Sequence, residues 1–129
     1  MEEINKKIQV VVVDDHTLLR NALAKLIDSF DGFSVFFEAE NGEELKTKLK
    51  NKLIPDIILL DVNMPGMNGF ETAEWLFRNY PQIKVLALSM FSDENTIIRM
   101  LKLGANGYIM KTAEPEELHL ALKSVIQKN

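Results

Sequence analysis

The chain has 129 residues, of which 47% are apolar and none is cysteine, and its formal net charge is −4. This length is typical of one domain, and the lack of cysteine excludes a disulfide framework and thiolate metal sites. The negative charge argues against nucleic-acid binding by this segment, because such surfaces are usually basic.

The beginning of the chain, residues 1–7, is charged and lacks the apolar core of a signal peptide. No apolar run approaches the roughly 20 residues that a membrane-spanning helix needs. We therefore expect a soluble cytoplasmic protein without membrane contact. No repeat, linker or low-complexity segment interrupts the sequence, so residues 1–129 are predicted to form a single domain, with no output domain in this chain.

Apolar runs alternate with amphipathic segments along the first half of the chain. The runs VVVV (residues 10–13) and IILL (residues 57–60) are typical of parallel strands that are buried on both faces. Asn41-Gly42 favours a turn before the second helix. The predicted elements are strands at 8–13, 34–39 and 57–60, and helices at 17–30 and around Leu45 and Leu49.

The second half continues the alternation after a loop at residues 62–69 that is dense in turn formers. We expect Asn68-Gly69 to supply an unusual backbone angle before the next helix. Gly104 is a natural C-terminal breaker, and Pro115 suits a first helical turn. The predicted elements are helices at 93–103 and from Pro115 onward, strands at 84–88 and 108–110, and, before them, a helix that carries Ala73, Leu76, Phe77 and Tyr80 and stops before Pro81.

Five strand–helix pairs predict an α/β fold in which helices cover both faces of a parallel sheet. Right-handed crossovers restrict its topology, although the pattern alone does not give the strand order. In such sheets, ligands bind beyond the carboxyl ends of the strands.

Three carboxylates follow two of these strands: Asp14 and Asp15 after the first, and Asp61 after the third. If they meet in one pocket, each pair repels by about 4 kcal/mol at roughly 4 Å and an effective dielectric near 20. A divalent cation relieves that repulsion, and hard oxygen ligands suit Mg²⁺. The sequence therefore predicts a Mg²⁺ site.

A hydroxyl and an ammonium follow two of the other strands, Ser89 after the fourth and Lys111 after the fifth. A carboxylate can act as a nucleophile and form an aspartyl phosphate, and phosphoryl transfer depends mainly on positioning and charge stabilisation. Each residue alone is commonly a cap or a solvated charge. Their combination at the ends of four strands predicts phosphoryl chemistry.

This combination resembles the receiver domain of two-component response regulators over residues 8–128, and most closely the NarL/LuxR-type subfamily. The resemblance implies a flavodoxin-like (βα)₅ fold, a doubly wound parallel sheet with strand order 2-1-3-4-5. The motifs that carry it are VVDDH (residues 12–16), LLDVNMPGMNG (59–69), LS (88–89) and GANGYIMK (104–111).

The resemblance also assigns roles. Asp61 is the expected phosphoacceptor for a sensor histidine kinase, and it is expected to bind Mg²⁺ together with Asp14, Asp15 and the backbone carbonyl of Asn63. Ser89 and Lys111 are expected to contact the phosphoryl group, and Tyr108 to turn inward as Ser89 moves. The domain is expected to act as a switch rather than an enzyme, with only autocatalytic phosphotransfer and autodephosphorylation.

The partner expected from the subfamily, besides the kinase, is a C-terminal DNA-binding output domain outside this chain that regulates transcription, or a separate partner protein. Phosphorylation-dependent homodimerisation is a further expectation.

Three positions depart from the commonest receiver pattern. Thr112 follows Lys111, where proline in a cis peptide is usual; a cis bond before a non-proline residue costs roughly 2.5–4 kcal/mol and is expected only if tertiary contacts hold it. Met90 follows Ser89 in place of a small residue, and its bulk is expected to narrow access to the acyl phosphate. Asn63 and Phe91 occupy positions that tune phosphate lifetime in the family.

Several other residues have simpler interpretations. His16 lies beside the acids, but the favoured interpretation is a first-turn helix residue. Met64 and Met67 are expected to pack the loop, and Trp75 to anchor a helix.

Alternative functions remain open. A haloacid-dehalogenase-type phosphatase also uses a nucleophilic aspartate, but it has an acid two residues later, where this chain has Asn63. A flavin-binding flavodoxin-like module needs a phosphate-cradling loop after the first strand, where this chain has acids. A P-loop nucleotidase is excluded because the sequence has no GxxxxGK segment.

Overall fold

The computed structural model describes residues 6–51, 53–64, 68–90 and 94–127. In these residues, five strands alternate with five helices. The expectations for Met67 and Phe91, and for a helix start at Asp93, lie outside the described residues. The elements are β1 (Ile8–Val13), α1 (Thr17–Ser29), β2 (Phe33–Ala39), α2 (Gly42–Lys50), β3 (Ile57–Asp61), α3 (Gly69–Asn79), β4 (Lys84–Ser89), α4 (Glu94–Leu103), β5 (Gly107–Met110) and α5 (Pro115–Gln127).

The strands form one parallel sheet in the order β2-β1-β3-β4-β5. The flavodoxin-like strand order implied by the resemblance is therefore confirmed. The chain reverses its direction of winding between β1 and β3, which makes the crevice above these two strands the topological switch point. Register places Val13 beside Leu60, and Asp61 beside Leu88.

Two apolar cores cover the two faces of the sheet, because alternate side chains of each strand point to opposite faces. One core joins Val11, Ile58 and Val85 to Leu45 of α2 and Leu76 of α3. The other core packs the remaining strand positions against Ile27 of α1 and Leu122 of α5. β3 is consequently buried along its whole length, and β1 and β4 are buried toward their carboxyl ends.

The element boundaries agree with the predicted ones to within a few residues. The first helix was predicted to include Phe30, which instead adopts an extended conformation as the C-cap of α1. Gly104 ends α4 with a φ of +120°, as its predicted breaker role requires. Trp75 is half-buried on α3 with its ring centroid 5.5 Å from that of Tyr80, which fits its predicted anchoring role.

The prediction that Asn68-Gly69 supplies an unusual backbone angle was wrong. Among the described residues, the glycines with positive φ are Gly32 and Gly104, so Gly69 does not supply an unusual angle. A Cβ added to Gly69 would lie 2.2 Å from the Val62 Cα and 2.7 Å from the Asp61 carbonyl oxygen. The first turn of α3 therefore presses against the end of β3, and only glycine leaves room for that approach.

Asn68 fixes the start of α3 at this point. Its side chain accepts a hydrogen bond from the Glu71 backbone N–H, and the Glu71 carboxylate accepts one from the Asn68 backbone N–H. This reciprocal capping box satisfies two of the free donors at the helix end.

Within the described residues, none of the helices combines the length and apolar character that a bilayer crossing requires.

Candidate functional site

The side chains predicted to carry the chemistry lie at the carboxyl edge of the sheet. Asp14 and Asp15 follow β1, Asp61 is the last residue of β3, Ser89 is the last residue of β4, and Lys111 follows β5. Oxygens of Asp14, Asp15 and Asp61 lie within 4.8 Å of one another. Parallel strands place their carboxyl ends together, and this is why residues distant in sequence meet here.

Lys111 connects two of the carboxylates. Its Nζ donates a hydrogen bond to Asp61 Oδ2 at 3.0 Å and lies 3.5 Å from Asp14 Oδ2. The side chains of Asp14 and Asp61 are fully buried, and that of Lys111 is only 2% exposed. Buried charges need partners in this way, since an isolated one is strongly disfavoured.

Burial raises the pKa of Asp61 to about 6. The Asn63 backbone N–H, which donates to Asp61 Oδ1 at 2.9 Å, lowers this pKa, whereas the negative charge of Asp14 raises it. The ammonium of Lys111 offsets part of the increase. A carboxylate with this pKa is ionised at neutral pH, yet it is held in an environment that favours neutralisation.

The donor set fits a divalent cation. Three ionised carboxylates and one ammonium would leave two uncompensated negative charges. Among the residues that the structure describes, Asp14 Oδ2 and Asp15 Oδ1 are buried side-chain atoms without a hydrogen-bond partner. Buried polar atoms nearly always have a hydrogen-bond partner. Carboxylate oxygens are the preferred ligands of hard divalent cations, so such an ion would pair with these atoms.

Ser89 and Asn63 form the opposite wall. Ser89 is buried, and its Oγ donates to Asn63 Oδ1 at 3.4 Å. The backbone holds this wall in place, because the Lys111 N–H donates to the Ser89 carbonyl at 2.7 Å and the Val62 N–H donates to the Leu88 carbonyl at 3.0 Å. Backbone hydrogen bonds therefore link the strand ends that carry the hydroxyl, the ammonium and Asp61.

The positions that depart from the family pattern have defined surroundings. The peptide between Lys111 and Thr112 is trans, as are the other peptide bonds of the described residues. Met90 is 49% exposed and lines a cavity of about 280 Å³ together with Lys111 and His16. Tyr108 is half-buried on β5 and packs against the core on the α3 side of the sheet.

His16 lies closer to the acids than its sequence interpretation implied. It is the N-cap of α1, outside the first turn, and its side chain makes no capping bond. Its ring Nδ1 lies 3.0 Å from Asp14 Oδ1, 3.5 Å from Asp15 Oδ1 and 3.3 Å from Lys111 Nζ. Its position next to two acids was the available signal, and only the loop backbone decides that the ring turns toward them.

Arg20 is a second residue that sequence reasoning missed. Its guanidinium donates to the Asp14 backbone carbonyl at 2.9 Å and to Glu38 Oε1 at 3.0 Å, and the side chain is only 15% exposed. Helical side chains lean toward the N-terminus of their helix, which lets an arginine in the first turn of α1 reach back to the loop. Arg20 therefore fixes the backbone that carries the two neighbouring acids.

Comparison with known proteins gives a consistent result. Residues 10–123 match the family model described as the response regulator receiver domain. The chain is 40% identical over 127 residues to the transcriptional regulatory protein DegU of Brevibacillus brevis, covering 98% of this chain and 53% of that protein. It is 41% identical over 113 residues to the nitrate/nitrite response regulator protein NarL of Escherichia coli K12, covering 88% and 52%.

A solved structure is also similar. The crystal structure of a LuxR-family two-component response regulator from Aurantimonas superposes with a TM-score of 0.86 at 26% identity, covering 94% of this chain and 86% of that one. The chain spans about half the length of the two relatives above.

Proposed function

This chain belongs to the response regulator receiver domain family, and we propose that Asp61 is the carboxylate that accepts a phosphoryl group from a sensor histidine kinase. The observation that carries the proposal is the buried Asp61 carboxylate, 3.0 Å from the Lys111 ammonium and beside two further acids that each have a buried oxygen without a hydrogen bond. Receiver domains are signalling domains of two-component systems, and LuxR-type relatives of this chain control transcription. The role of each residue here is our assignment.

In the proposed reaction, an Asp61 oxygen attacks the phosphorus of a phosphohistidine. A new O–P bond forms as the P–N bond breaks, and the electron pair returns to the histidine nitrogen. Asp61 is ionised at neutral pH despite its raised pKa of about 6, so it retains the lone pair that a nucleophile needs. Lys111, which already donates a hydrogen bond to Asp61, would then pair with the negatively charged phosphoryl oxygens.

We assign the Mg²⁺ ligands as Asp14, Asp15, Asp61 and the backbone carbonyl of Asn63. When bound, the ion would neutralise charge shared by these acids and the phosphoryl oxygens. The residues themselves contribute position: Arg20 holds the Asp14 carbonyl, and the Asn63 N–H holds Asp61 Oδ1. Preorganisation of this kind is the main contribution that a protein makes to phosphoryl transfer.

The switch is proposed to start at Ser89 and Tyr108. Ser89 Oγ would exchange its long 3.4 Å contact with Asn63 for a phosphoryl oxygen, and half-buried Tyr108 on the neighbouring strand would turn inward. A local change of charge would thereby bias a two-state surface. We propose that this surface controls a C-terminal DNA-binding domain or a separate partner protein, and that phosphorylation favours a homodimer.

The remaining functional assignments follow from the same proposal. The domain would catalyse only its own phosphorylation and dephosphorylation. It would act in the cytoplasm, where the kinase domain has access to ATP. The net charge of −4 gives this segment no electrostatic attraction to DNA, so contact with DNA would fall to the output domain.

The test is incubation with acetyl phosphate and Mg²⁺, followed by intact-mass measurement of the wild type, Asp61→Asn and Asp56→Asn. The wild type is expected to gain one alkali-labile phosphoryl group, and Asp56→Asn to gain the same. Asp61→Asn is expected to lose it completely. A phosphoryl group that persists in Asp61→Asn would refute the assignment, and steady turnover of small phosphate esters would favour a phosphatase instead.

A further inference from the structure

We propose that His16 supplies a nitrogen ligand to the divalent-cation site, so that the site prefers borderline ions such as Ni²⁺ and Co²⁺ over Mg²⁺. The inference rests on the cation site of the proposed function and concerns its ligands and its metal preference. It adds a residue to that site and changes its chemical class from all-oxygen to mixed nitrogen and oxygen.

The distances match neighbouring ligands on one ion. Asp14, Asp15, His16 and Asp61 each offer an atom, and these four atoms lie within 4.8 Å of one another. His16 Nδ1 is 3.0 Å from Asp14 Oδ1 and 3.5 Å from Asp15 Oδ1. Adjacent ligands of an octahedral ion with bonds of about 2.0–2.1 Å are separated by about 3 Å. The ring nitrogen therefore lies close enough to Asp14 and Asp15 to share an ion with them.

The neighbours of the ring nitrogen make opposing demands. A protonated Nδ1 would donate to Asp14 but face the Lys111 ammonium at 3.3 Å. An unprotonated Nδ1 would accept from Lys111 but turn its lone pair toward Asp14 Oδ1 at 3.0 Å. A neutral imidazole nitrogen is donor or acceptor, never both. A cation among these atoms would satisfy the nitrogen lone pair and the carboxylate oxygens together.

A second observation points to a cation among these side chains. Asp14 is fully buried, and its Oδ2 has no hydrogen-bond partner among the described residues. That oxygen faces the interior of the site, since it lies 3.5 Å from the Nζ of Lys111, which is itself bonded to Asp61. Because Lys111 is already bonded to Asp61, a metal ion would give this oxygen the close partner that buried polar atoms normally have.

An ion can also reach the ring. The His16 side chain is 59% exposed, and the ring lines the cavity of about 280 Å³ beside Met90 and Lys111. Coordination positions that face this cavity would stay open to water or phosphoryl oxygens. The proposed nitrogen ligand therefore leaves room for the phosphoryl group on Asp61.

The metal preference follows from ligand chemistry. Carboxylate and carbonyl oxygens suit Mg²⁺, whereas imidazole suits later first-row ions, whose affinity rises from Mn²⁺ through Co²⁺ and Ni²⁺. Removing the imidazole is therefore expected to weaken Ni²⁺ binding far more than Mg²⁺ binding.

The matched control comes from the composition of the chain. It contains two histidines, and the second, His119, stacks on Phe30 with ring centroids 4.3 Å apart, outside the acid cluster. His16→Gln removes the proposed ligand, and His119→Gln removes the only other imidazole. Titration calorimetry of the wild type and both variants, with Ni²⁺ and with Mg²⁺, separates the effect of losing the His16 imidazole from that of losing the His119 imidazole.

We expect His16→Gln to weaken Ni²⁺ binding by at least about tenfold, because even partners behind metal ligands cost roughly 10- to 100-fold in affinity. The Mg²⁺ affinity should change much less, and His119→Gln should match the wild type for both ions. Equal losses of Ni²⁺ and Mg²⁺ binding in His16→Gln, or no loss of Ni²⁺ binding, would overturn the inference.

A spectroscopic measurement on the wild type makes the test independent of any variant. Pulsed EPR of the Co²⁺ complex should show coupling to one directly bound ¹⁴N nucleus, and its absence would also overturn the inference. A wild type that binds Mg²⁺ and is phosphorylated, but shows no nitrogen coupling, defeats only this inference. A wild type that binds neither ion defeats the cation site of the proposed function as well.

Discussion

Strand β3 begins just after Asp56 and ends at Asp61, so the same side chain can be compared at the two edges of one sheet. Asp56 is exposed, and its Oδ2 accepts a hydrogen bond from the Gln9 N–H at 2.8 Å. Its backbone N–H and carbonyl bond Gln9 and Lys84 as well. The hydrogen bonds of Asp56 join three strands, while its carboxylate remains hydrated. Asp56 therefore stabilises the fold with little desolvation penalty.

Asp61 has the opposite surroundings at the carboxyl edge. It is fully buried, close to Asp14, and its pKa is raised to about 6. Lys111 is the cation that makes these buried charges tolerable. The comparison shows that the buried, mutually repelling aspartates lie at the carboxyl edge of the sheet, where a cation or a phosphoryl group can relieve the repulsion. At the amino edge, by contrast, Asp56 stabilises the fold.

The largest expected effect tests how tightly the carboxyl edge is packed. Gly69→Ala should lower the free energy of unfolding by at least about 3 kcal/mol, the upper end of overpacking costs, because the new Cβ would meet backbone atoms at 2.2 and 2.7 Å. The measurement is urea unfolding followed by circular dichroism.

Gly32→Ala at the amino edge is the matched control. Gly32 has a φ of +87°, but nothing lies within 4 Å of the added Cβ. Its cost should be limited to the strain of a left-handed alanine, about 1–2 kcal/mol. Equal costs for the two variants would mean that α3 can move away from β3, and that the carboxyl edge is less tightly packed than its geometry indicates.

The next effect concerns the two aspartates directly. In metal-free buffer at pH 8, Asp61→Asn should raise the free energy of unfolding by about 2–3 kcal/mol, because it removes a carboxylate whose pKa is about two units above normal in the folded protein. Asp56→Asn should lower it by roughly 0.5–1 kcal/mol, since a charge-assisted hydrogen bond becomes a neutral one.

The pH dependence gives the sign of the Asp61 effect independently. The folded pKa of about 6 exceeds the ordinary value of 3.8, so the folded state binds the proton more tightly than the unfolded state does. Proton binding at Asp61 therefore stabilises the folded wild type. This contribution to the free energy of unfolding is complete below about pH 4 and is lost as the pH rises through 6. The difference between the wild type and Asp61→Asn should therefore shrink by about 1–2 kcal/mol between pH 7 and pH 5. A difference that is constant across this range would contradict the burial argument.

The amino-acid pattern was sufficient for most of the architecture. Continuous apolar runs identify β1 and β3 because both faces of a central strand are buried, and the polar residue that ends each run identifies the site. The meeting of Asp61 with Lys111 follows once the strand order is known. That order came from the resemblance, since hydrophobic periodicity does not encode which strands are neighbours.

The parts that were missed depend on loop backbone and on register. The orientation of the His16 ring is set by the turn after β1, and the tight space at Gly69 is set by how α3 packs. Arg20 meets Glu38 because the pairing of β1 with β2 shifts by one residue between Val10 and Val11. A single-residue shift reverses which side chains face each surface, and the sequence of the edge strand β2 carries no signal for it.

Arg20 combines a small stability effect with an effect on metal affinity. Arg20→Met keeps the apolar stem but removes the bonds to the Asp14 carbonyl and to Glu38. It should cost about 1 kcal/mol of stability, a typical net value for lost hydrogen bonds whose partners can be partly hydrated. The Mg²⁺ affinity should fall by roughly tenfold, as for other partners that orient metal ligands.

Arg78→Met is the control for Arg20→Met. Arg78 forms an exposed pair with Glu74 at 2.9 Å, one turn apart on α3, and such pairs contribute only about 0.3–0.5 kcal/mol. Arg78→Met should leave Mg²⁺ binding unchanged.

Arg20→Lys tests whether the geometry of the guanidinium matters or only its positive charge. It should restore little of the Mg²⁺ affinity, since a single ammonium cannot bridge the carbonyl and the carboxylate as the guanidinium fork does. Full rescue by lysine would show that only positive charge matters at this position, and the loop carrying Asp14 and Asp15 would then be positioned by the turn itself.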